Sequence, residues 1–374
     1  MKVIAFYLPQ FHEIEENNKW WGQGFTEWTN VKRAKPLFNG HNQPRIPLNN
    51  NYYNLLNKGV MEYQIALARQ YGIYAFCFYH YWFAGKRLLE KPLEIFLNNR
   101  ALKMPFCICW ANDSWTNGWV SKSNEVLIKQ EYGDRTLWTQ HYNCLRKFFM
   151  DDRYILINNK PLFVIYNPSD IVSIKPMLEC FVQNSYKDGF DGIAFAYQYY
   201  VPCPDLFRAY FDFDIQFQPV YAMLSSKDPL QRFKNVLRLA DRQIQNIWGR
   251  SLSEFVITKL RTYDYDSIWT KILQMPPDDE KSIPGAVVDW DNTPRRGKNG
   301  KVFLNVTPDK FEKYMKQQIV RTKSLYKKDM LFLTAWNEWG EGAYMEPDVL
   351  NQDHFLKALK SALVTTKEFP LELL

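Results

Sequence analysis

Several signals that mark common protein classes are missing from this chain of 374 residues. No apolar run of about 18 residues occurs, which excludes a typical transmembrane helix, and the N-terminal run in MKVIAFYLPQFHE is too short for a secretory signal. Histidine is scarce, at 5 residues, and no HExxH motif gives zinc an evident site. No glycine-rich phosphate loop follows any strand-like run. We therefore expect a soluble, cytoplasmic protein without a metal or nucleotide cofactor and without stable membrane insertion.

Neither the charge nor the cysteines indicate a specialised class of protein. The formal net charge of +7 is spread along the chain with only short basic clusters, so no nucleic-acid partner is expected. Several of the 6 cysteines lie in apolar runs such as FCF and FCICW, where cysteine serves as a small hydrophobic residue. No internal repeat or Gly/Ser linker divides the chain. We expect buried, reduced thiols and one domain over residues 1–374.

Aromatic residues are abundant, at 17% of the chain, with 23 Tyr, 26 Phe and 13 Trp. Most of the phenylalanines can be assigned to the core. The tyrosines and tryptophans exceed what packing usually requires, and such rings can line a concave binding site. The composition thus favours a globular protein with an aromatic pocket.

Apolar, β-branched and aromatic runs alternate with segments of helical periodicity, which is typical of βα units around a parallel sheet. The predicted strands are Val3–Leu8, Ile73–Tyr79, Pro105–Trp110, Leu162–Tyr166, Gly192–Tyr197, Phe213–Phe217, Ala286–Trp290 and Leu331–Trp336. The predicted helices are Leu55–Tyr71, Pro92–Asn99, Leu137–Met150, Pro176–Tyr186, Arg232–Asn246, Phe311–Lys327 and Phe355–Thr365. This order predicts an α/β fold, a (β/α)₈ TIM barrel, with an open doubly wound sheet as the rival. Two long loop excursions are expected, over residues 11–51 and 222–284.

In a (β/α)₈ barrel the residues just past the carboxyl ends of the strands form the active site. Amides, phenols, indoles and carboxylates are enriched at these boundaries, and together they suit a sugar, whose hydroxyls need donors and acceptors and whose C–H faces need flat rings. The predicted substrate-binding residues are Tyr7, His80, Tyr81, Trp82, Trp110, Asn112, Asp113, Tyr166, Tyr197, Gln198, Asp289, Trp290, Trp336, Asn337, Trp339 and Glu346. Gln10 and Trp115 lie at the same boundaries.

The segment LFLTAWNEWGEGAYMEP, residues 331–347, is the most informative part of the chain. It ends an apolar run in two tryptophans and three carboxylates. Glu338 and Glu341 lie on one loop, where one carboxyl can donate a proton to a leaving oxygen while the other accepts one. We predict that they are the catalytic pair, against the alternative of solvated loop acids. Glu346 is expected to order its neighbours.

Other residues at the ends of the predicted strands each allow two interpretations. His80 fits either a hydrogen-bonded core histidine or a catalytic one. Asp113 fits either a loop cap through an Asx turn or a substrate contact. Asp289 and Asp291 are the acid-x-acid pair at a strand end, where sugar contacts or structural caps are favoured over a divalent ion.

Four separated motifs carry a resemblance to a known family: AFYLPQFHEIEENNKWWGQGFTEWTNV, YHYWF, CICWANDSW and TAWNEWGEGAYMEP. Together they resemble the WbsX-like proteins of polysaccharide-biosynthesis loci over nearly the whole chain. That family is labelled as glycosyltransferases and is similar to the endo-α-mannosidases of glycoside hydrolase family 99, which are (β/α)₈ barrels. A polysaccharide or oligosaccharide substrate is therefore expected.

The resemblance also implies roles for the two glutamates. In the endo-α-mannosidases a WNEW-x-EG motif carries both catalytic residues, and Glu338 and Glu341 occupy the matching positions. Glu338 would act as a base on the sugar 2-hydroxyl, forming a 1,2-anhydro intermediate, and Glu341 as the general acid. This route requires a free 2-hydroxyl trans to the leaving group, as in α-mannose or α-rhamnose. Gly340 replaces the bulkier residue of many mannosidases.

Three functions follow from this sequence. The first is a retaining, endo-type glycoside hydrolase or transglycosylase acting on a bacterial surface polysaccharide or its precursor. The second is a glycosyltransferase of O-antigen, capsule or lipopolysaccharide biosynthesis that uses an activated sugar donor. The third is a noncatalytic glycan-binding barrel, which intact carboxylates at both catalytic positions disfavour.

Overall fold

The computed structural model describes residues 1–117, 125–199, 205–224 and 260–373. Its centre is a parallel sheet whose strands we number β1 to β8 in chain order. Their bounds are β1 Lys2–Tyr7, β2 Ile73–Phe83, β3 Phe106–Trp110, β4 Lys160–Ile165, β5 Ala194–Tyr199, β6 Phe213–Gln216, β7 in two pieces, Ser282–Ile283 and Gly285–Val287, and β8 Met330–Thr334.

The sheet closes on itself through β7. Its strand order begins with Ser282–Ile283, runs through β6, β5, β4, β3, β2, β1 and β8, and ends with Gly285–Val287. Only Pro284 separates the two ends in sequence, so the two pieces of β7 join β6 to β8 and complete a (β/α)₈ barrel. The predicted fold class is confirmed, and each of the eight predicted strands overlaps the strand that the structure has.

Helices connect the strands and surround the barrel. Numbered in chain order, they are α1 Glu15–Trp21, α2 Glu27–Arg33, α3 Lys58–Gln70, α4 Lys91–Asn98, α5 Arg135–Phe149, α6 Ile174–Lys187, α7 Asp205–Arg208, α8 Val220–Leu224, α9 Tyr265–Gln274, α10 Thr293–Arg296, α11 Pro308–Ser324 and α12 His354–Thr365. Six predicted helices correspond to α3, α4, α5, α6, α11 and α12. The seventh, Arg232–Asn246, lies outside the described residues. No helix in the described parts of the chain is long and apolar enough to cross a membrane.

Short antiparallel strands occur beside the barrel strands and in the loops. They are Lys86–Leu88, Trp115–Thr116 with Val126–Ile128, Leu156–Ile157, and Asn337–Glu338 with Ala343–Tyr344, while Arg261–Asp264 and Lys301–Leu304 form a parallel pair. The two largest differences from the predicted boundaries are the end of β2 and the start of β7. Strand β2 continues past Tyr79 to Phe83, because Tyr81–Phe83 pair with Lys86–Leu88. Strand β7 starts at Ser282, inside the predicted second excursion.

Alternation along the strands sorts the side chains into two layers. On one face, Phe6 packs against Tyr79, Phe217 and Phe332 at ring-centroid distances of 5.4–5.6 Å, which fills the barrel interior. On the other face, Phe78 contacts Phe96 of α4. The strands are therefore buried on both faces, which explains their continuous apolar runs.

Candidate active site

The loop after β8 presents the two predicted catalytic glutamates at the carboxyl end of the barrel. Asn337–Glu338 pairs antiparallel with Ala343–Tyr344, and the 3₁₀ turn Trp339–Glu341 connects them. Gly342 ends the turn with φ of 64°, a left-handed conformation that glycine adopts without strain. Glu338 and Glu341 are three residues apart in sequence, and this tight turn keeps both at one end of the hairpin.

One arginine contacts both glutamates. Arg295 Nη1 lies 2.8 Å from Glu341 Oε1, and its Nη2 lies 3.2 Å from Glu338 Oε2. Its Nε donates to Oε1 of a third carboxylate, Glu27, at 2.8 Å. The glutamates predicted as a pair are thus joined by a guanidinium, whose planar fork matches carboxylate geometry.

The members of this cluster differ in exposure. The side chains of Glu27, Arg295 and Glu338 are 0%, 8% and 9% exposed, whereas that of Glu341 is 26% exposed. Burial raises the pKa of Glu338 to about 8, with further increases from the charges of Glu341 and Glu27 and a decrease from Arg295. Burial therefore favours the protonated form of Glu338 in the free protein, and Glu341 is the more exposed member of the pair.

Sequence reasoning missed Arg295 and Glu27. Arg295 lies in α10, whose start is held by Asp291 Oδ1 through the backbone N–H and hydroxyl of Thr293. Glu27 is the first residue of α2, inside the long excursion after β1. The only signals were a short basic cluster and one acid in an aromatic-rich loop, and neither shows that the two segments meet.

Beneath the glutamates, two tyrosine hydroxyls accept hydrogen bonds from two glutamine side chains. Gln10 Nε2 donates to the Tyr81 hydroxyl at 3.2 Å, and Gln198 Nε2 donates to the Tyr79 hydroxyl at 3.2 Å. Burial, and after it the charge of Glu338, raises the pKa of Tyr81. Of the predicted substrate-binding residues, the structure brings Tyr81 and Gln198 to this side of the barrel, with Tyr79 as an addition.

Three predicted site residues lie instead between the barrel and α5. His80 Nε2 is 3.2 Å from His141 Nε2. The Trp82 ring stacks on His141 at 4.8 Å, and the Trp110 ring meets it edge-on at 4.6 Å. Because side chains alternate along a strand, extending β2 through Trp82 turns His80 and Trp82 away from the interior that Tyr79 and Tyr81 face. We therefore do not include these three residues among the proposed substrate contacts, and we interpret His80 as a hydrogen-bonded core histidine.

Three more predicted contacts are packing residues. The Tyr7 hydroxyl donates to Gln64 of α3 at 2.6 Å. Tyr197 packs against Phe211 at 4.8 Å, and Trp336 packs against Phe76 at 5.3 Å. Each of the three is at most 1% exposed, so we do not retain them as sugar platforms.

Two asparagines tie neighbouring strand ends together. Asn337 accepts from Leu8 N at 2.7 Å and donates to Leu8 O at 3.0 Å, as another strand would. Asn112 does the same with the backbone of Asn167, at 2.8 and 2.6 Å. Asp113 Oδ1 accepts from the Asn167 amide at 3.2 Å. These side chains hold the rim of the barrel and are less available to a ligand than predicted.

Glu346 supports the catalytic loop from behind. Its Oε2 accepts from the Tyr53 hydroxyl at 2.8 Å and from Trp339 Nε1 at 2.6 Å, and its Oε1 accepts from Gln64 at 2.7 Å. Burial raises its pKa to about 7, although these hydrogen bonds lower it. The Trp339 ring is fixed further by stacking on Tyr344 at 3.8 Å. Glu346 and Trp339 thus support the loop through these contacts.

The acid-x-acid pair after β7 is occupied by side chains from the first excursion. Asp291 Oδ2 contacts His41 Nε2 at 2.8 Å and Gln43 Nε2 at 2.7 Å. Arg45 Nη1 lies 2.8 Å from Asp289 Oδ2. No cluster of three or more His, Cys, Asp or Glu side chains suited to a metal occurs in the part of the chain that the structure describes. These contacts fit the structural reading of Asp289 and Asp291.

The last two predicted residues, Tyr166 and Trp290, differ in exposure. Tyr166 is half-buried at the end of β4 and lies close enough to Tyr79 for its charge to contribute to the raised pKa of Tyr79, after burial and the charges of Cys109 and Glu338. Trp290 is buried, and its indole N–H has no hydrogen-bond partner among the described residues, as is true of the Gln198 side-chain oxygen. Both atoms are buried and have no hydrogen-bond partner among the described residues that would satisfy them.

Comparison with solved structures agrees with the barrel. The endo-α-mannosidase of glycoside hydrolase family 99 from Bacteroides thetaiotaomicron aligns with a TM-score of 0.55 and 13% identity, over 98% of this chain and 97% of that one. A structure described as a glycoside hydrolase-like protein aligns with a TM-score of 0.56 and 15% identity, over 99% of this chain and 94% of that one. At these identities the likeness concerns the fold.

Sequence comparison gives the family. Proteins named WxcX from two strains of Xanthomonas campestris pv. campestris, B100 and ATCC 33913, are each 33% identical over 377 aligned positions that include 99% of this chain. The chain spans about half the length, 51%, of these relatives. The model of the family described as glycosyltransferase WbsX matches residues 3–359. The chain belongs to the glycosyltransferase WbsX family.

Proposed function

We propose that this protein breaks or transfers a glycosidic bond in a bacterial surface polysaccharide or its precursor, as a retaining enzyme of endo type. The observation that carries the proposal is the joining of Glu338 and Glu341 by Arg295 at the carboxyl end of β8. Two carboxyls of unequal exposure in one barrel mouth are what acid and base catalysis of this reaction requires. The glycan-acting descriptions of the family and of the structural neighbours support the same class of substrate.

The proposed roles of the two glutamates follow their surroundings. Glu338 is almost buried beside Tyr81, so it would meet the sugar ring, and its ionised form would take the proton of the 2-hydroxyl. Glu341 is more exposed and would protonate the leaving oxygen. The C1–O bond then breaks as the 2-oxygen bonds to C1, and a water or sugar hydroxyl reopens the anhydro ring with net retention. The route suits α-mannose- or α-rhamnose-like sugars.

The second candidate is a glycosyltransferase that uses an activated sugar donor, and the family description favours it. A metal-assisted nucleotide donor would need ligands such as Asp289 and Asp291. Their contacts with Arg45, His41 and Gln43 occupy those carboxylates. The observations therefore favour a transfer from a glycan over a transfer from a metal-bound nucleotide sugar.

The test uses oligosaccharides prepared from the surface polysaccharide of the source bacterium. Incubation in ¹⁸O-labelled water with mass detection distinguishes hydrolysis, in which the new reducing end gains the label, from transfer, in which it does not. NMR of the first-formed product reports its anomeric configuration. We expect labelled products, or longer transfer products, with retained configuration.

Glu338→Gln and Glu341→Gln are the diagnostic variants, because glutamine keeps the shape and removes the acid-base function. We expect each to reduce the rate by about 10² to 10⁴. Glu280→Gln, at an exposed position, is the matched control. Parental rates in either diagnostic variant, or consumption of a nucleotide sugar in place of glycan cleavage, would contradict the proposal.

A further inference from the structure

Glu27 holds the arginine that joins the two glutamates. Its Oε1 accepts from Arg295 Nε at 2.8 Å, on the edge of the guanidinium that does not face Glu338 or Glu341. Its side chain is completely buried. A buried carboxylate that contacts the third edge of a guanidinium fixes the plane of that guanidinium, since the contacts with Nε, Nη1 and Nη2 together leave it no free rotation.

The turn between Glu338 and Glu341 packs directly against Glu27 and Arg295. A Cβ at Gly340 would lie 1.7 Å from Glu27 Oε1 and 2.8 Å from Arg295 Nε. Both distances are far shorter than ordinary van der Waals contacts. The absence of a side chain at position 340 is therefore what allows Glu27 and Arg295 to approach the catalytic turn.

We propose that Glu27 is a positioning residue, which orients Arg295 between Glu338 and Glu341. Because Glu27 also balances the charge of Arg295, it influences the ionisation of Glu338. The importance of Glu27 for catalysis rests on the proposed function, but the effect of Glu27 on the ionisation of Glu338 does not. Glu27 is contributed by the excursion after β1, so this excursion supplies part of the acid-base machinery.

The surrounding charges give the direction of the effect. The groups that face Glu338 are Arg295 from α10, Glu27 from α2, Glu341 from its own loop, and Tyr79 and Tyr81 from β2. The three carboxylates share one guanidinium, so full ionisation leaves excess negative charge in a buried site. Removing the charge of Glu27 relieves that excess and leaves Arg295 to act on the other two glutamates.

The direct test is the titration of Glu338 in the free, full-length protein. Glutamate labelled with ¹³C at the carboxyl gives one NMR signal per residue, and the Glu338 signal is the one that Glu338→Gln removes. In Glu27→Gln, glutamine still accepts from Arg295 Nε but carries no charge. We expect the Glu338 midpoint of Glu27→Gln to lie below that of the parent, because the charge of Glu27 raises the parental pKa. Glu346→Gln, a buried carboxylate outside this cluster, is the control and should leave the midpoint in place.

Gly340→Ala tests the same arrangement without changing a charge. The added methyl group displaces the Glu27 carboxylate, so the Glu338 midpoint should shift and the variant should be less stable. In the background of Glu27→Ala, much of that clash is absent, and the added loss of stability should be smaller. Circular dichroism checks that each variant folds.

The outcomes separate the inference from the proposed function. An unchanged Glu338 midpoint in both Glu27→Gln and Gly340→Ala overturns the inference, whether or not the parent cleaves a glycan. A shifted midpoint in a parent that cleaves no glycan supports the inference and contradicts the proposed function. If the parent is active, Glu27→Gln should move the pH profile of kcat/KM in the same direction as the midpoint, which a purely structural defect would not do.

Discussion

Replacing Glu338 with glutamine is expected to change how the stability of the protein depends on pH. The folded-state pKa of about 8 lies above the ordinary value of 4.5, mainly because burial disfavours the charged carboxylate. A raised pKa means that the folded state binds the proton more tightly than the unfolded state. The resulting stabilisation is complete below pH 4.5 and is lost as the pH rises through 8.

The size of the effect follows from the same values. A difference between 4.5 and about 8 corresponds to about 5 kcal/mol, at about 1.4 kcal/mol for each pH unit. The contact with Arg295 at 3.2 Å remains available to glutamine, so the variant should fold. Between pH 5 and pH 8.5 we expect the free energy of unfolding of the parent to fall by roughly 3–5 kcal/mol more than that of Glu338→Gln.

Urea unfolding at both pH values, followed by circular dichroism, measures this difference. Titrating groups outside this cluster, including Glu346, contribute equally to parent and variant and cancel in the comparison. Glu280→Gln, at an exposed site, should follow the parent. Parallel stability curves for the parent and Glu338→Gln would refute the reasoning, because Glu338 would then ionise as it does in the unfolded chain.

Three further predictions concern the supports of the site. Glu346→Ala leaves the donors of Tyr53, Gln64 and Trp339 without their acceptor. Urea unfolding should therefore show that the free energy of unfolding falls by about 3–5 kcal/mol, and a decrease below about 1 kcal/mol would contradict the support role. Arg45→Met leaves Asp289 without its cation and should cost about 3–5 kcal/mol at pH 7. Because burial already raises the pKa of Asp289, the loss should be smaller at pH 4, and an equal loss at both pH values would argue against an unpaired charge. Asn337→Ala removes both side-chain bonds to Leu8 and should lower the free energy of unfolding by about 2–4 kcal/mol; a loss below about 0.5 kcal/mol would contradict a stabilising role for these bonds.

The barrel was predictable from the sequence because its signal is local. Each strand is buried on both faces, so it appears as a short apolar run, and the helices between them carry their own periodicity. The division of β7 by Pro284 was not predictable, because it reflects how the strand passes from β6 to β8. The hairpin after Tyr79 was not predicted either, and it has the larger consequence, because the longer β2 turns His80 and Trp82 away from the barrel interior.

The candidate site was predictable in part, for the same reason. Glu338 and Glu341 lie in one motif, and their joint placement needed only a strand followed by a tight turn. Glu27 and Arg295 are 268 residues apart, and nothing in either segment indicates that they meet. A strand buried on both faces also carries no polar alternation to show which face lines the pocket. Tyr81 and His80 were therefore equal candidates until their partners were known.

The most direct test of the central claim compares two substrates of the same sugar, the oligosaccharide and an aryl glycoside with a good leaving group. The rates of the parent, Glu338→Gln and Glu341→Gln are measured on both. We predict that both variants are about 10² to 10⁴ slower on the oligosaccharide. Glu341→Gln should recover on the aryl glycoside, whose leaving group needs no proton, whereas Glu338→Gln should stay slow. Parental cleavage of the oligosaccharide by either variant would contradict the account.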